Sequence, residues 1–269
     1  IHPTNSAGKV ADHERIASVH ARDVPADEHT VERRRQQPHT CALHPTHALR
    51  RTVTVDNADG LIGELHRSWN ELLTPHARAA VDIAEMGRAV IASWAEPSRR
   101  YHDLDHLCDV LRNVDQLAAH ATDPTAVRLA AWYHDVVYRG RSDDELASAA
   151  RAERELSNLD VEHSLVTEVA RLVRLTATHD PGPGDRNGET LCDADLRILA
   201  SPADRYARYV AAVRAEYAHV PDAQFREGRA ALLSSLLAGP ALFRTPHGHA
   251  EWEAPARANL TAELRTLRA

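Results

Sequence analysis

The sequence lacks the features that mark several common protein classes. Its three cysteines are an odd number and form no Cys-x-x-Cys pair, which argues against a disulfide framework and against a thiolate zinc site. No apolar run approaches the roughly 18 residues of a membrane-spanning helix, and no apolar segment follows a basic start at the N-terminus. We therefore expect a cytoplasmic protein with no membrane partner and no secretory signal.

Positive charge is also scarce. The chain carries a formal net charge of −7, and Lys9 is its only lysine. Proteins that bind the phosphate backbone of nucleic acids present clustered lysine and arginine side chains. The charge balance therefore argues against nucleic acid as the main partner, and the sequence does not determine the oligomeric state.

Aromatic residues are absent from residues 1–57, which also contain four prolines. Such a segment buries too little apolar area to offset the entropy of the chain. We expect residues 1–57 to form a disordered or weakly structured tail and residues 58–269 to form the folded domain.

Residues 58–269 show a helical pattern, because apolar residues recur at intervals of three and four and period-two alternation is scarce. This pattern predicts an all-α fold, a single bundle of roughly nine helices. Asp123 and Pro124 have the form of an N-cap and a first helical residue, opening the helix expected to carry His134 and Asp135. Ser142 and Glu145 have the spacing of a capping box at the start of the next helix.

The strongest functional signal is the order His106, His134, Asp135 and Asp195. Imidazole nitrogens and carboxylate oxygens are the ligands that divalent transition metals take when one coordination position stays open. The dipeptide His-Asp is not specific by itself, but here it lies in an apolar run, residues 126–138, where an unpaired carboxylate would be costly. Asp195 lies in a second apolar stretch, so the four residues predict a metal site between helices. His102, four residues before His106, is expected on the same side of one helix.

The same residues resemble the HD superfamily of metal-dependent phosphohydrolases. Longer strings are similar to one bacterial branch of predicted HD hydrolases, namely residues 99–106, 132–138, 193–199 and 213–217. The similarity runs from about residue 61 to the C-terminus and excludes the tail. It implies an HD-type helical bundle in which His106, His134, Asp135 and Asp195 are the metal ligands, with Asp135 bridging if a second ion is present. His102 and His179 would then complete the second site.

The resemblance implies hydrolysis of a small phosphoester, with a nucleotide as the expected substrate, by metal-activated water. The cation would be Mn, Fe, Co, Ni, Zn or Mg. Asp135 or Glu145 is the candidate to accept the water proton. Arg99, Arg214 and Arg229 are candidates to bind phosphate oxygens through paired hydrogen bonds.

Two other functions fit the same ligand pattern. A helical bundle that retains metal can serve as a nucleotide sensor without turnover, and two irons on the same framework can activate dioxygen. Turnover of phosphoesters, tight nucleotide binding without turnover, or oxygen consumption by an iron-loaded sample would distinguish the three.

Overall fold

Helices form all the regular secondary structure in the part of the chain that the structure, a computed structural model, describes, which is residues 55–77 and 80–269. These residues contain eleven α-helices, one 3-10 helix and no strand, which confirms the predicted all-α class. No helix among them combines the length and the apolar composition needed to cross a membrane. The predicted tail, residues 1–57, lies almost wholly outside the described residues. The helices are α1 (Val55–Leu73), α2 (Ala80–Trp94), α3 (Leu104–Leu117), α4 (Pro124–Tyr133), α5 (Asp144–Asn158), α6 (His163–Leu175), α7 (Arg186–Leu196), the 3-10 helix (Arg197–Ala200), α8 (Ala203–Glu216), α9 (Asp222–Ala238), α10 (Pro246–Glu251) and α11 (Glu253–Arg268).

Helix α4 lies at the centre of the core. From Ala126 to Tyr133 only Arg128 has an appreciable exposed fraction, and α4 contacts α3, α5, α6 and α7. A helix that is apolar on all sides is buried on all sides. The carboxylate of Asp123 accepts a hydrogen bond from the amide of Ala126 at 3.0 Å, and Pro124 is the first helical residue. The start predicted for this helix is therefore confirmed.

Three buried tryptophans tie the N-terminal helices to α4. The indole of Trp94 donates to the carbonyl of Trp132 at 3.0 Å, and that of Trp69 donates to the carbonyl of Ile83 at 2.8 Å. Helices α1 and α2 approach closely at Gly87, where an added Cβ would lie 2.5 Å from a ring carbon of Trp69. These contacts bring the end of α2 against the end of α4.

The structure has two more α-helices than the nine expected. The additional helices are α7 and the short α10, for which apolar periodicity gave no prediction. In α7 the buried side includes Asn187 and Asp193, whose oxygens accept hydrogen bonds from the backbone of neighbouring segments. Because these buried positions are polar, the sequence of α7 does not show the apolar periodicity of a helix.

Three local expectations were wrong. His102 is not on the helix of His106, because Asp103 caps α3 by accepting hydrogen bonds from the next amides and the helix begins at Leu104. His134 and Asp135 follow α4, which ends at Tyr133.

The third concerns the capping box expected at Ser142. Helix α5 begins at Asp144, and Asp143 at the N-cap position makes no capping hydrogen bond. The buried carboxylate of Asp144 instead accepts from the amides of Arg139 and Arg141, at 2.6 and 2.9 Å. This carboxylate therefore stabilises the loop that follows Asp135 rather than the helix end.

Candidate metal centre

Four side chains from three segments converge beside α4. The Nε2 atoms of His106 and His134 lie 3.2 Å apart, and Oδ2 of Asp135 lies 3.2 Å from Nε2 of His134 and 3.8 Å from Nε2 of His106. Oδ1 of Asp195 lies 3.2 Å from Nε2 of His106 and 3.5 Å from Nε2 of His134. His106, His134 and Asp135 offer ligand atoms that all lie within 4.8 Å of one another.

These separations match those of ligands around one cation. Ligand atoms about 2.1 Å from a shared ion stand about 3.0 Å apart at right angles and about 3.4 Å apart at the tetrahedral angle. The measured values of 3.2 to 3.8 Å fall close to this range. The group formed by His106, His134 and Asp135 is therefore a possible metal-binding site.

The hydrogen bonds of His134 support this interpretation. Its Nδ1 lies 2.9 Å from the carbonyl oxygen of Ala131, and a carbonyl only accepts, so Nδ1 carries the proton. In the neutral ring Nε2 then presents a lone pair, as metal-binding histidines do when their other nitrogen is fixed by a backbone carbonyl. Nε2 of His134 faces two carboxylate oxygens, from Asp135 and Asp195, and such a convergence of electron pairs requires a proton or a cation between them.

The charged side chains at the centre shift one another's pKa values. Burial lowers the pKa of His134, but the charges of Asp135 and Asp195 outweigh it and raise that pKa well above the ordinary histidine value. Burial raises the pKa of both carboxyls, yet the imidazoles hold the pKa of Asp135 and Asp195 below the ordinary aspartate range. The carboxylates are therefore ionised at neutral pH, and their negative charges favour a cation at the centre.

Core packing fixes the imidazoles of His106 and His134, which we call the inner pair. His106 is on the first turn of α3 and His134 caps the end of α4, with 4% and 1% of their surfaces exposed. The ring of Trp94 packs against both, with centroids 6.1 and 5.3 Å away. The end of α4 also directs its negative dipole end toward this site, which favours a cation there.

His102 lies beside this centre and is held by Glu216. Nδ1 of His102 is 2.7 Å from Oε2 of Glu216, and its Nε2 is 3.9 Å from Oδ2 of Asp135. The ring stacks on Tyr138 with centroids 4.2 Å apart. Nε2 of His102 is thereby directed toward the carboxylate of Asp135.

Glu216 is a site residue to which the sequence analysis gave no role. Its carboxylate accepts hydrogen bonds from the backbone amides of Arg100, Tyr101 and His102 at 2.8 to 3.0 Å and from the hydroxyl of Tyr138 at 3.1 Å. Burial opposes ionisation, but the bond from His102 and the amide donors lower the pKa of Glu216 to about 2. The only signal in the sequence was its place in the string 213–217.

His179 lies on the other side of the centre. It follows the end of α6 with a φ of 48°, in the left-handed region that residues other than glycine adopt infrequently. Its Nε2 is 2.8 Å from Oδ2 of Asp195, whose Oδ1 faces the inner imidazoles. Asp195 therefore connects His179 to the inner pair, as Asp135 connects His102.

A cavity of about 410 Å³ opens on these side chains. Its polar end is lined by His102, Asp135, His179, Asp195 and Glu145. Burial raises the pKa of the Glu145 carboxyl, and the charge of Asp135 adds to the effect. A carboxyl with a raised pKa at the wall of a cavity suits general acid or base catalysis.

A second cavity, of about 250 Å³, borders His106 and Asp195 from another direction. Its lining is polar and includes Arg112, Arg197 and Arg205. The two cavities share Tyr101, Asp195 and Ile198. The centre therefore lies between an apolar and a polar space.

Two of the three arginines proposed for phosphate binding are directed to other partners. The guanidinium of Arg99 donates to the carbonyls of His102, Asp135 and Val136, at 2.9, 2.7 and 3.2 Å, and so holds the loop of Asp135. Arg214 pairs with Asp222 and donates to backbone carbonyls at the end of α8. Neither lines a cavity at the centre.

Arg229 lines the larger cavity, but its charge is engaged. Its Nε lies 2.8 Å from Oε1 of Glu263, and its Nη2 donates to Oε2 of Glu263 and to the hydroxyl of Tyr209. The phosphate-binding roles of Arg99, Arg214 and Arg229 stay predictions, and the structure offers each a structural role.

Comparison of the chain with family models, with curated proteins and with solved structures finds no match. The assignment of a function therefore rests on the geometry described above.

Proposed function

We propose that the chain is a metal-dependent phosphohydrolase of the HD type that acts on a small phosphate monoester. The observation that carries the proposal is the group of His106, His134 and Asp135 at ligand separations, with Asp195 facing both imidazoles, at one end of a cavity. Mixed imidazole and carboxylate ligands suit Mn, Fe, Co, Ni or Zn better than Mg, which prefers oxygen ligands throughout.

A divalent cation supplies two effects when bound here, since it lowers the pKa of a water molecule and polarises a phosphoryl oxygen. In the reaction the water oxygen bonds to phosphorus, the bond from phosphorus to the alcohol oxygen breaks, and the products are inorganic phosphate and the alcohol. Asp135 is the candidate to accept the water proton. Glu145, with its raised pKa, is the candidate to hold a proton and donate it to the leaving oxygen.

His102 and His179 support a second cation in the proposal. Each faces one carboxylate of the centre, His102 facing Asp135 and His179 facing Asp195. If a second cation binds, His102 and His179 would hold it together with the carboxylates that they face.

The test uses the purified chain loaded with Mn²⁺ and a panel of aryl, alkyl and nucleoside monophosphates. Released phosphate is measured for the wild type, for His134→Ala and for the surface control His163→Ala. The proposal expects turnover by the wild type and the control and none by His134→Ala. Metal binding without phosphate release from any substrate would overturn the proposal. Tight nucleotide binding would then identify a sensor, and oxygen consumption by the iron form an oxygenase.

A further inference from the structure

The larger cavity has the metal centre at one end. The rest of its lining combines aliphatic side chains from the end of α7, the 3-10 helix and α9 with aromatic rings such as Phe225 and with polar side chains that include Thr176 and Arg229. We call the aliphatic part the apolar chamber and define it by Leu196, Ile198, Leu199, Leu232, Leu233 and Leu236.

The size of the space is that of a small-molecule site. Protein interiors are packed to the density of organic crystals and contain few voids larger than a water molecule. A cavity of about 410 Å³ lies within the range of small-molecule sites. A space of this volume beside convergent polar side chains is therefore the expected form of a substrate site.

Two polar side chains that border the chamber, those of Arg229 and Thr176, already have hydrogen-bond partners. Arg229 forms two hydrogen bonds with Glu263, which also accepts from the hydroxyl of Tyr206. The hydroxyl of Thr176 donates to the carbonyl of Val173 at 2.7 Å. A nucleobase and a ribose in the chamber would leave several donors and acceptors unpaired, which is costly away from water.

The polar cavity meets the same centre at Asp195 and is lined by Arg112, Arg197 and Arg205 together with Asp109. Asp109 pairs with Arg112 and with Arg205, so charged side chains of both signs lie on that side and aliphatic ones on the other. A ligand with an anionic head and an apolar body matches both surroundings when its head lies at the centre.

We infer that the apolar chamber binds the hydrocarbon body of a phosphate monoester whose phosphate lies at the metal centre. The substrate class is the phosphate of an aliphatic or aryl alcohol rather than a nucleotide. This inference rests on the proposed function for the position of the phosphate. Hydrolysis releases the apolar alcohol and inorganic phosphate, with water as the only co-reactant.

The experiment compares n-alkyl phosphates of two to eight carbons with nucleoside monophosphates, using the Mn²⁺-loaded full chain. Burial of each added methylene is expected to raise kcat/KM about fourfold until the chamber is filled. Octyl phosphate is therefore expected to exceed every nucleotide by more than tenfold. Turnover that is independent of chain length, with nucleotides preferred, would overturn the inference and leave the hydrolase proposal standing.

A matched pair of variants on α9 locates the chamber. Leu236 lines it and the next residue, Leu237, does not, although both are partly buried. Leu236→Gln is expected to lower the ratio of kcat/KM for octyl phosphate to kcat/KM for ethyl phosphate about tenfold. Leu237→Gln is expected to leave the ratio of the two substrates unchanged. An equal effect of both variants on this ratio would contradict the location.

A binding measurement separates this inference from the proposed function. If no substrate releases phosphate, calorimetric titration with octyl phosphonate and ethyl phosphonate still measures how tightly the chamber binds each compound. Tighter binding of the octyl compound that is weakened by Leu236→Gln would support the chamber without the hydrolase. Equal or absent binding of both compounds would overturn the inference.

Discussion

The two pairs of histidines at the centre are held in different ways. His106 and His134 are almost fully buried on α3 and at the end of α4, where Trp94 packs against both rings. His102 and His179 lie outside helices, retain 20% and 16% of their side-chain exposure, and border the cavity. Helix packing thus fixes the inner pair, whereas hydrogen bonds to carboxylates fix His102 and His179, which we call the outer pair. Under the proposed function, the inner pair would hold the metal permanently and the outer pair would form the part of the site that meets the substrate.

The largest effect is expected from the inner pair. His134→Ala removes one of the two closest imidazoles, so the protein is expected to lose its tightly bound metal. Activity is expected to fall by more than the roughly 100-fold that follows mutation of a residue that only hydrogen-bonds to a metal ligand. Metal content by mass spectrometry and helicity by circular dichroism check this, with His163→Ala as the control. Full metal content in His134→Ala with unchanged helicity would contradict the difference between the pairs.

A smaller effect is expected from the outer pair. His102→Ala leaves the four inner side chains in place, so one ion per chain is expected to remain while activity falls about 10- to 100-fold. Titration of the metal-free protein with Mn²⁺, followed by electron paramagnetic resonance, would count the ions. Loss of all metal in His102→Ala would show that the pairs act as one site.

Glu216→Gln tests how the outer pair is held. Glutamine keeps one carbonyl acceptor but loses the charge that fixes Nδ1 of His102, so kcat is expected to fall about tenfold. The folded-state pKa of Glu216 is lowered to about 2, so its stabilising effect is complete above the ordinary glutamate pKa and is lost as the pH falls through about 2. Thermal melting of the metal-free proteins is therefore expected to differ most at neutral pH and to converge in acid. A constant difference down to pH 2 would argue against an ionised Glu216.

The smallest effect is expected from Arg214, which lies at the same end of α8 as Glu216. Its ion-pair partner Asp222 is largely solvent-exposed, and ion pairs at the surface contribute about 0–1 kcal/mol. Arg214→Met is expected to lower the melting temperature slightly and to change kcat/KM less than twofold. A large rise in KM with unchanged stability would restore Arg214 as a phosphate ligand.

The comparison of the two pairs also shows what the sequence could predict. The core of α4 was predictable because its apolar residues follow one helical period, and its start was predictable because Asp123 and Pro124 act locally. The order of His106, His134, Asp135 and Asp195 predicted a metal site because each of these polar residues lies within an apolar stretch of the sequence.

The support of the outer pair was not predictable, because it depends on contacts between distant segments. Glu216 binds the amide of His102 across 114 positions of the chain. Arg99 reaches the carbonyl of Asp135 across 36 positions, and its charge suggested a phosphate rather than a backbone partner. Arg99 holds the loop that follows α4. No local signal in the sequence marks the end of α4 at Tyr133.

The most direct test of the account is the anomalous scattering of crystals grown with Mn²⁺. The account predicts a peak about 2.0–2.3 Å from Nε2 of His106, Nε2 of His134 and the nearest oxygens of Asp135 and Asp195. A map without a peak at this position, with the two imidazoles hydrogen-bonded directly to each other, would contradict it.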